Sequence, residues 1–309
     1  MTKDQETIIP VIDFAQYDIP GQRETVSSEI CQALRTVGFL YLKNHGVLDQ
    51  KIRNAFTTSK AFFELTEERK MDFATRSKRQ TNITTYNPID SERLNPSAKK
   101  EIREAFDLIP HNTVDVPEYP DFMPALVSLS QSYRFLAKKI LHCIGIGLGL
   151  EDPEYFLTVH RNLDDTHVPS GSLFRTLYYP SFQREYANDP NVVRCGTHTD
   201  YGTVTLVGQD QVGGLEVQTA GGDFIPATPI PDTIVVNIGD LLQRWTSDEL
   251  KATPHRVLCN TSTLTRQSLV LFVHPDSETV VEALGERPKV YPPIKAKDHL
   301  QYRYEISFG

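Results

Sequence analysis

Residues 196–202 read Gly-Thr-His-Thr-Asp-Tyr-Gly, and residues 254–257 read Pro-His-Arg-Val. Two imidazoles and one carboxylate form a ligand set that suits Fe(II) and leaves adjacent coordination positions open. Side chains two residues apart in an extended strand project to the same side, so His198 and Asp200 can reach one ion. His255 must then come from another strand. The two stretches predict a metal site formed by His198, Asp200 and His255.

A third motif, Arg266-Gln-Ser268, follows shortly after His255. In a strand Arg266 and Ser268 again share one side. A guanidinium is the natural bidentate partner of a carboxylate, and a neighbouring hydroxyl adds a donor. An isolated His-x-Asp is typical of a surface turn with a capping aspartate. The metal interpretation depends on the three motifs occurring together, with the third predicting a site for a carboxylate.

The pattern along the chain changes from helical to strand-like between the first and second halves. The first half predicts a strand at Ile8–Phe14, another at Phe39–Leu42, and amphipathic helices at Arg23–Val37, Asp49–Leu65 and Met123–Gly147. Short strands bounded by turn residues are predicted from residue 172 onward: 173–179, 202–207, 214–218, 233–238, 256–259, 267–273 and 280–283. This order predicts a mainly β protein with flanking helices (α+β), whose core is a sandwich or barrel. A parallel doubly wound fold is disfavoured because helices stop alternating with strands.

We divide the chain into an N-terminal helical and strand region (1–171), a core (172–283) and a C-terminal extension (284–309), treated as one structural unit. The polar segment 77–100 contains Pro88 and Pro96 and is long enough to serve as a lid or to face a substrate. His45 sits in an Asn-His-Gly turn, where a structural hydrogen bond is expected. Asp240 is expected to cap a turn or to orient its neighbours.

Composition excludes several classes of function. The formal net charge of −8 disfavours nucleic acid as a partner. Apolar residues make up 39% of the chain, without the uninterrupted run of about 18 that a membrane span requires. The four cysteines, far apart and without a C-x-x-C pair, are expected to be buried thiols in a reducing compartment. We therefore expect a cytoplasmic protein that acts on a small molecule; the sequence leaves its oligomeric state open.

The motifs resemble the isopenicillin N synthase-like branch of the Fe(II)/2-oxoglutarate-dependent dioxygenases. The supporting segments span nearly the whole chain: Ile9–Phe14, Gly38–Gly46, Gly213–Val217 and Val236–Asp240. The resemblance implies a double-stranded β-helix (jelly-roll) core and an iron ion on the three residues above. It also implies that Arg266, Ser268 and Tyr179 bind 2-oxoglutarate. Leu177 replaces an asparagine found in many plant members, so one polar contact to the co-substrate is expected to be missing.

The implied reaction consumes O2, converts 2-oxoglutarate to succinate and CO2, and oxidises a small molecule, most commonly by hydroxylation. Two alternatives stay open: an iron oxidase of the same fold that does not use 2-oxoglutarate, and a non-catalytic ligand-binding relative. The chain also resembles the microbial and fungal thymine 7-hydroxylase type through Arg175, Tyr201, Asn237 and Phe272, which relatives with other substrates share. These four are the candidate substrate residues. Arg175 suggests a substrate with a carboxylate or a carbonyl-rich heterocycle.

Overall fold

A computed structural model describes residues 9–77, 85–94, 100–108, 116–164, 171–181, 192–258 and 264–308. The helices are α1 (Arg23–Thr36), α2 (Asp49–Phe63), α3 (Glu67–Ser77), α4 (Phe122–Gly147), α5 (Tyr155–Thr158), α6 (Asp240–Trp245) and α7 (Ala296–Phe308). The strands are β1 (Val11–Asp13), β2 (Phe39–Lys43), β3 (Tyr86–Asn87), β4 (Lys100–Glu101), β5 (Glu104–Leu108), β6 (Leu173–Tyr179), β7 (Val192–Val193), β8 (Cys195–His198), β9 (Val204–Gln209), β10 (Leu215–Gln218), β11 (Phe224–Pro226), β12 (Thr233–Ile238), β13 (His255–Val257), β14 (Arg266–Val273), β15 (Val280–Val281) and β16 (Ile294–Lys295).

Two unequal sheets form the core. The larger has eight strands in the order β1-β2-β12-β9-β14-β6-β5-β3, and the smaller has four in the order β11-β10-β13-β8. Only β1 and β2 pair in parallel within these two sheets of the described chain. Most neighbouring strands of the large sheet are not consecutive in sequence, as in a jelly roll, where the chain crosses repeatedly between sheets.

The two faces of the large sheet have different environments because side chains alternate along each strand. On β14, Leu269, Leu271 and Val273 are buried in the main apolar core with residues of α1, α2 and α4. Val270 and Phe272 point the other way, toward the cavity between the sheets. Rings from helix and sheet meet in the main core, where Phe62 of α2 and Phe106 of β5 lie edge to face with 5.0 Å between centroids. The helices therefore cover one face of the sheet and leave the other to the cavity.

The α+β class with a jelly-roll core is confirmed, and several element bounds agree closely with the sequence prediction. β6 and β12 have the predicted bounds, and α1, α2 and α4 differ by at most two residues at each end. The prediction missed α3, β5, β8 and α7 and placed β9 two residues too early. None of the helices in the described ranges has the length and apolar composition that a membrane crossing requires.

The segment 77–100 lies partly outside the described residues, which omit 78–84 and 95–99. Its described part includes β3, and both Glu92 and Leu94 line the cavity. The expectation that this segment faces a ligand is therefore supported at these two positions. Its role as a lid stays a prediction.

Truncation of a core-facing residue of β14 should destabilise the fold. Leu271 has no exposed surface, so Leu271→Ala should lower the free energy of unfolding by about 2–5 kcal/mol through lost burial and a residual cavity. The same substitution at Leu264, which is 62% exposed, should change it by no more than about 0.5 kcal/mol. Urea denaturation of both variants measures the difference, and equal losses would contradict the assigned facing of β14.

Candidate metal and carboxylate site

The cavity between the two sheets contains all the candidate site residues. Its floor and walls come from both sheets, from the segment around Glu92 and from α7. The lining includes the three predicted metal ligands together with Phe39, Glu92, Leu94, Arg103, Leu173, Arg175, Leu177, Tyr179, Cys195, Tyr201, Thr205, Val207, Leu215, Asn237, Val257, Arg266, Ser268, Val270, Phe272, His274 and Tyr304.

His198, Asp200 and His255 converge at one end of this cavity. Potential ligand atoms, one from each residue, all lie within 4.8 Å of one another. The Asp200 Oδ1 atom is 3.9 Å from His198 Nε2 and 3.8 Å from His255 Nε2. β8 and β13 are antiparallel neighbours that place the two histidines directly opposite each other. The pairing of these strands thus explains how residues far apart in the sequence meet.

Hydrogen bonds to the backbone fix the orientation of both imidazoles. His198 Nδ1 lies 2.8 Å from the Gly196 carbonyl oxygen, and His255 Nδ1 lies 3.1 Å from the Thr253 carbonyl oxygen. A carbonyl can only accept, so each Nδ1 carries the proton and each Nε2 presents its lone pair to the centre of the triad. This arrangement is typical of histidines that bind a metal through Nε2.

The electrostatics keep the imidazoles neutral and the carboxylate charged. Burial lowers the pKa of His198 and brings the pKa of His255 to about 4. Burial raises the pKa of Asp200, but His255, His198 and a hydrogen bond from the Asn237 amide outweigh it, so that pKa lies below its usual range. These are the protonation states that a divalent cation requires of its ligands.

Asn237 has a different contact from the one expected of a substrate residue. It lines the cavity, but its side-chain amide donates to Asp200 Oδ2 at 2.5 Å. β12 pairs with β9 and presents Asn237 toward the triad. The contact assigns Asn237 to orienting the carboxylate, a role that the sequence alone did not suggest.

Asp200 lies beyond the end of β8, in a turn rather than in the strand that the sequence suggested. The turn is packed tightly: a Cβ atom on Gly202 would lie 2.3 Å from the Val273 carbonyl oxygen. The Nδ1 atom of buried His160 donates its proton to the Phe156 carbonyl oxygen. Its Nε2 atom is therefore an acceptor, and the hydroxyl of Thr203, the residue after Gly202, donates to it at 2.8 Å. Close packing and this histidine therefore replace strand pairing as the support of the turn.

Arg266 is a buried cation that forms no salt bridge with a carboxylate of the described residues. Its side chain is 1% exposed, and its Nε atom has no hydrogen-bond partner within the described chain. The guanidinium lies 4.8 Å from the centroid of the Tyr179 ring, and its Nη atoms have only long contacts of 3.4 Å with Ser268 Oγ and Gln209 Oε1. A buried guanidinium needs an anionic partner, so the predicted carboxylate site is supported. Gln209 was not predicted.

Arg175, by contrast, is already paired. Its Nε and Nη2 atoms donate to the two oxygens of Asp107 at 2.6 and 2.9 Å, and its Nη1 atom donates to Glu92 at 2.7 Å. Asp107 stands directly opposite Arg175 where β5 pairs with β6. Three of the five N–H groups of this guanidinium are thus used by carboxylates of the protein.

A second buried arginine extends this cluster. Arg103 lies 3.1 Å from Glu92 and 3.3 Å from Glu101, whose other oxygen accepts a hydrogen bond from the Gly196 backbone at 3.1 Å. Burial raises the pKa of Glu92, but the attraction of Arg175 and Arg103 outweighs it and holds the pKa below its usual range. Three carboxylates oppose two guanidiniums, so the cluster has no surplus positive charge. Sequence reasoning missed its acidic members, although Glu101, Arg103 and Asp107, charged residues separated by even numbers of positions, were a usable signal.

Aromatic side chains form another part of the lining. Tyr201 and Phe272 line the cavity as predicted, joined by Tyr304 from α7. The Tyr201 and Tyr304 rings meet edge to face at 6.1 Å. Tyr304 was missed because it lies in the extension 284–309, where the sequence indicated no site.

Comparison with known proteins agrees with this site. Residues 9–126 match the family model of the non-haem dioxygenase in morphine synthesis N-terminal region, and residues 170–275 match the 2OG-Fe(II) oxygenase superfamily. The chain is 29% identical to the 2-oxoglutarate-Fe(II) type oxidoreductase ppzD of Metarhizium majus, with 100% of this chain and 97% of that protein covered. It is 28% identical to the proline hydroxylase buaE of Petromyces alliaceus, with 96% and 94% covered.

Solved structures agree with these matches. The thymine 7-hydroxylase of Neurospora crassa in complex with alpha-ketoglutarate superposes with a TM-score of 0.85 at 28% identity, covering 98% of each chain. The same enzyme with alpha-ketoglutarate and thymine gives a TM-score of 0.83. A C-terminally truncated form, at 30% identity, covers 89% of this chain and 97% of that chain with a TM-score of 0.68.

The buried histidine that supports the turn should make stability depend on pH. Burial lowers the pKa of His160 from 6.5 to about 4. As the pH falls below 6.5, this histidine therefore binds a proton in the unfolded chain but not in the folded protein. The free energy of unfolding should therefore fall between about pH 6 and pH 4.5, by at most about 1.4 kcal/mol per pH unit for each such histidine. His160→Gln, which keeps one donor and one acceptor, should have a shallower pH dependence. Urea denaturation of the metal-free protein measures the slopes, and parallel curves for the two proteins would contradict the prediction.

Proposed function

Because this chain belongs to the 2OG-Fe(II) oxygenase superfamily and is a 2-oxoglutarate-dependent dioxygenase, we propose that His198, Asp200 and His255 bind its iron. The observation that carries the assignment is the convergence of three ligand atoms within 4.8 Å, with both Nε2 lone pairs directed inward. The donor set fits Fe(II), since two neutral imidazoles and one carboxylate leave positions open for other ligands. Iron bound there together with 2-oxoglutarate supplies the O2 activation by which a substrate is oxidised while the co-substrate becomes succinate and CO2.

We propose that Arg266 and Ser268 hold the distal carboxylate of 2-oxoglutarate, above the ring of Tyr179. The orphaned Nε of Arg266 supports this assignment, because a bidentate carboxylate would supply the acceptor that the described protein lacks. In an oxidase that does without 2-oxoglutarate, this cation would lack an anionic partner unless the substrate itself carried a carboxylate. Leu177 lies next to Ser268 across the β6–β14 pair and offers no polar group, consistent with the expectation that one polar contact to 2-oxoglutarate is missing at that position.

The substrate side of the cavity favours a neutral molecule. A substrate carboxylate placed beside Arg175 would meet Asp107 and Glu92, and the cluster has no surplus positive charge to stabilise it. The carbonyl groups of a neutral ring could accept hydrogen bonds beside Arg175, and the ring could pack against Tyr201, Phe272 and Tyr304. Of the two substrate classes suggested by the sequence, we therefore propose the carbonyl-rich heterocycle. Thymine, the ligand of the Neurospora crassa relative, is the first compound of this class to test.

Two broader expectations remain proposals. A cytosolic location is supported by the free buried thiols of Cys31, Cys143 and Cys195. The division at residues 171/172 and 283/284 is a description of sequence regions, and α7 shows that the last of them contributes to the same cavity as the core.

The assignments of iron and co-substrate are tested by succinate release from 2-oxoglutarate in the presence of Fe(II) and a library of small molecules. His198→Ala and Asp200→Ala should abolish the release while leaving the folded state intact. Arg266→Ala should raise the 2-oxoglutarate concentration for half-maximal rate by roughly 10- to 100-fold, because a charge-assisted hydrogen-bonding partner is lost. Circular dichroism of each variant separates loss of function from unfolding.

Arg256→Ala is the matched control for Arg266→Ala, since Arg256 pairs with Glu216 away from the cavity lining. It should leave the 2-oxoglutarate requirement unchanged. Full activity of either triad variant would refute the metal assignment. An unchanged requirement in Arg266→Ala would place the co-substrate elsewhere.

The preference for neutral substrates is tested with matched heterocycles. Binding of thymine and uracil, and of orotate as their carboxylated counterpart, is measured by calorimetry on the Mn(II)-loaded protein saturated with 2-oxoglutarate. We expect the neutral rings to bind at least about 10-fold more tightly, because the acidic groups around Arg175 repel an added carboxylate. Equal or tighter binding of orotate would contradict the proposal.

A further inference from the structure

The C-terminal helix α7 packs against the turn that carries Asp200. His299, Arg303 and Ser307 follow each other at intervals of four residues and therefore share one face of the helix. That face is directed at residues 199–201 and at the start of α6. On a neighbouring, solvent-facing side of the helix Tyr302 is 59% exposed and Ile306 is 45% exposed. The inward side of this helix thus combines those three polar residues with Ala296, which is buried in the main core, and Tyr304, which lines the cavity.

Arg303 contacts the residues on both sides of Asp200. Its Nη2 atom donates to the Thr199 carbonyl oxygen at 3.2 Å, and its Nη1 atom lies 3.4 Å from the Thr199 hydroxyl. Its guanidinium carbon stands 4.1 Å from the centroid of the Tyr201 ring, a cation–π contact. One side chain therefore holds the turn at its first and its last residue.

A second connection runs through Asp240 at the start of α6. The Asp240 carboxylate pairs with Arg303 and lies 3.4 Å from Nε2 of His299. The Asp240 backbone N–H donates to the Asp200 carbonyl oxygen at 2.8 Å. Arg303 thus supports Asp200 along two routes, directly through Thr199 and indirectly through Asp240. The expectation that Asp240 orients its neighbours is supported by these contacts.

We propose that Arg303 is a positioning residue of the metal site, which fixes the turn bearing Asp200 and so sets the affinity for the metal. This inference rests on the proposed function, since it takes the triad as the metal site. Asp200 lies outside β8 and has no ladder hydrogen bonds of its own to hold it, so its placement depends on contacts from outside the strand. Groups that orient a metal ligand without touching the metal commonly change affinity by about 10- to 100-fold when they are removed.

The test is a Co(II) titration of the full-length protein without 2-oxoglutarate, followed by the visible absorption of bound Co(II). Arg303→Ala should weaken Co(II) binding by at least about 10-fold. Arg303→Lys should lie between Arg303→Ala and the wild type, because an ammonium can pair with Asp240 but cannot donate through a planar fork to Thr199 as well. Tyr302→Ala, on the exposed face of the same helix, is the matched control and should bind Co(II) like the wild type.

His198→Ala separates failure of this inference from failure of the proposed function. If His198→Ala binds Co(II) as tightly as the wild type, the metal site lies elsewhere and both are overturned. If His198→Ala loses Co(II) while Arg303→Ala keeps wild-type affinity, the positioning role is overturned and the metal assignment stands. A lower melting temperature of Arg303→Ala or Arg303→Lys with unchanged Co(II) affinity would likewise overturn it, because the helix would then contribute to stability alone.

Discussion

Charge buried in the interior of a protein has to be balanced, and this requirement arranges the cavity from one end to the other. The Asp200 carboxylate lies between two neutral imidazoles and accepts a hydrogen bond from the Asn237 amide, so the metal ion proposed for this site would balance its charge. The charge of Arg175 is balanced by Asp107 and Glu92, so this arginine is part of the cavity lining and needs no charged ligand. Arg266 forms no salt bridge in the described chain, and its unpartnered Nε marks where a diacid co-substrate would belong. The positions of the charges thus identify the two ligand regions better than the shape of the cavity does.

The sequence predicted those elements whose residues follow a simple period. β6, β12 and β14 alternate between core and cavity, and α1, α2 and α4 carry apolar stripes, so their bounds were close to correct. β8 is too short and too rich in small and polar residues to show alternation. The last helix was missed for a physical reason: its inward side mixes apolar residues with His299 and Arg303, so it has no apolar stripe to reveal it.

The residues of the candidate site likewise fall into those that simple spacing predicted and those whose contacts it did not. Spacing along single strands suggested His198 with Asp200 and Arg266 with Ser268, because neighbours on one strand can be placed from sequence alone, whereas His255 had to come from another strand. Arg175 and Asn237 were correctly placed at the cavity, but their partners were not foreseen. The partner of Arg175 is 68 residues away in Asp107, and pairing at that separation depends on strand order, which a single sequence does not reveal. What a residue contacts was therefore harder to predict than where it lies.

The antiparallel pair β6–β14 carries a graded series of side chains along its cavity face. Arg266 stands opposite Tyr179 at one end, Arg175 opposite Val270 in the middle, and Phe272 opposite Leu173 at the other end. Phe272 lies six positions after Arg266 along the strand, a span of about 20 Å. The strand pair therefore has a cationic end and an apolar end at a fixed distance from each other. A single compound with a dicarboxylate head and a neutral ring at its tail would lie along this one strand pair, and its length would decide whether both ends are held at once.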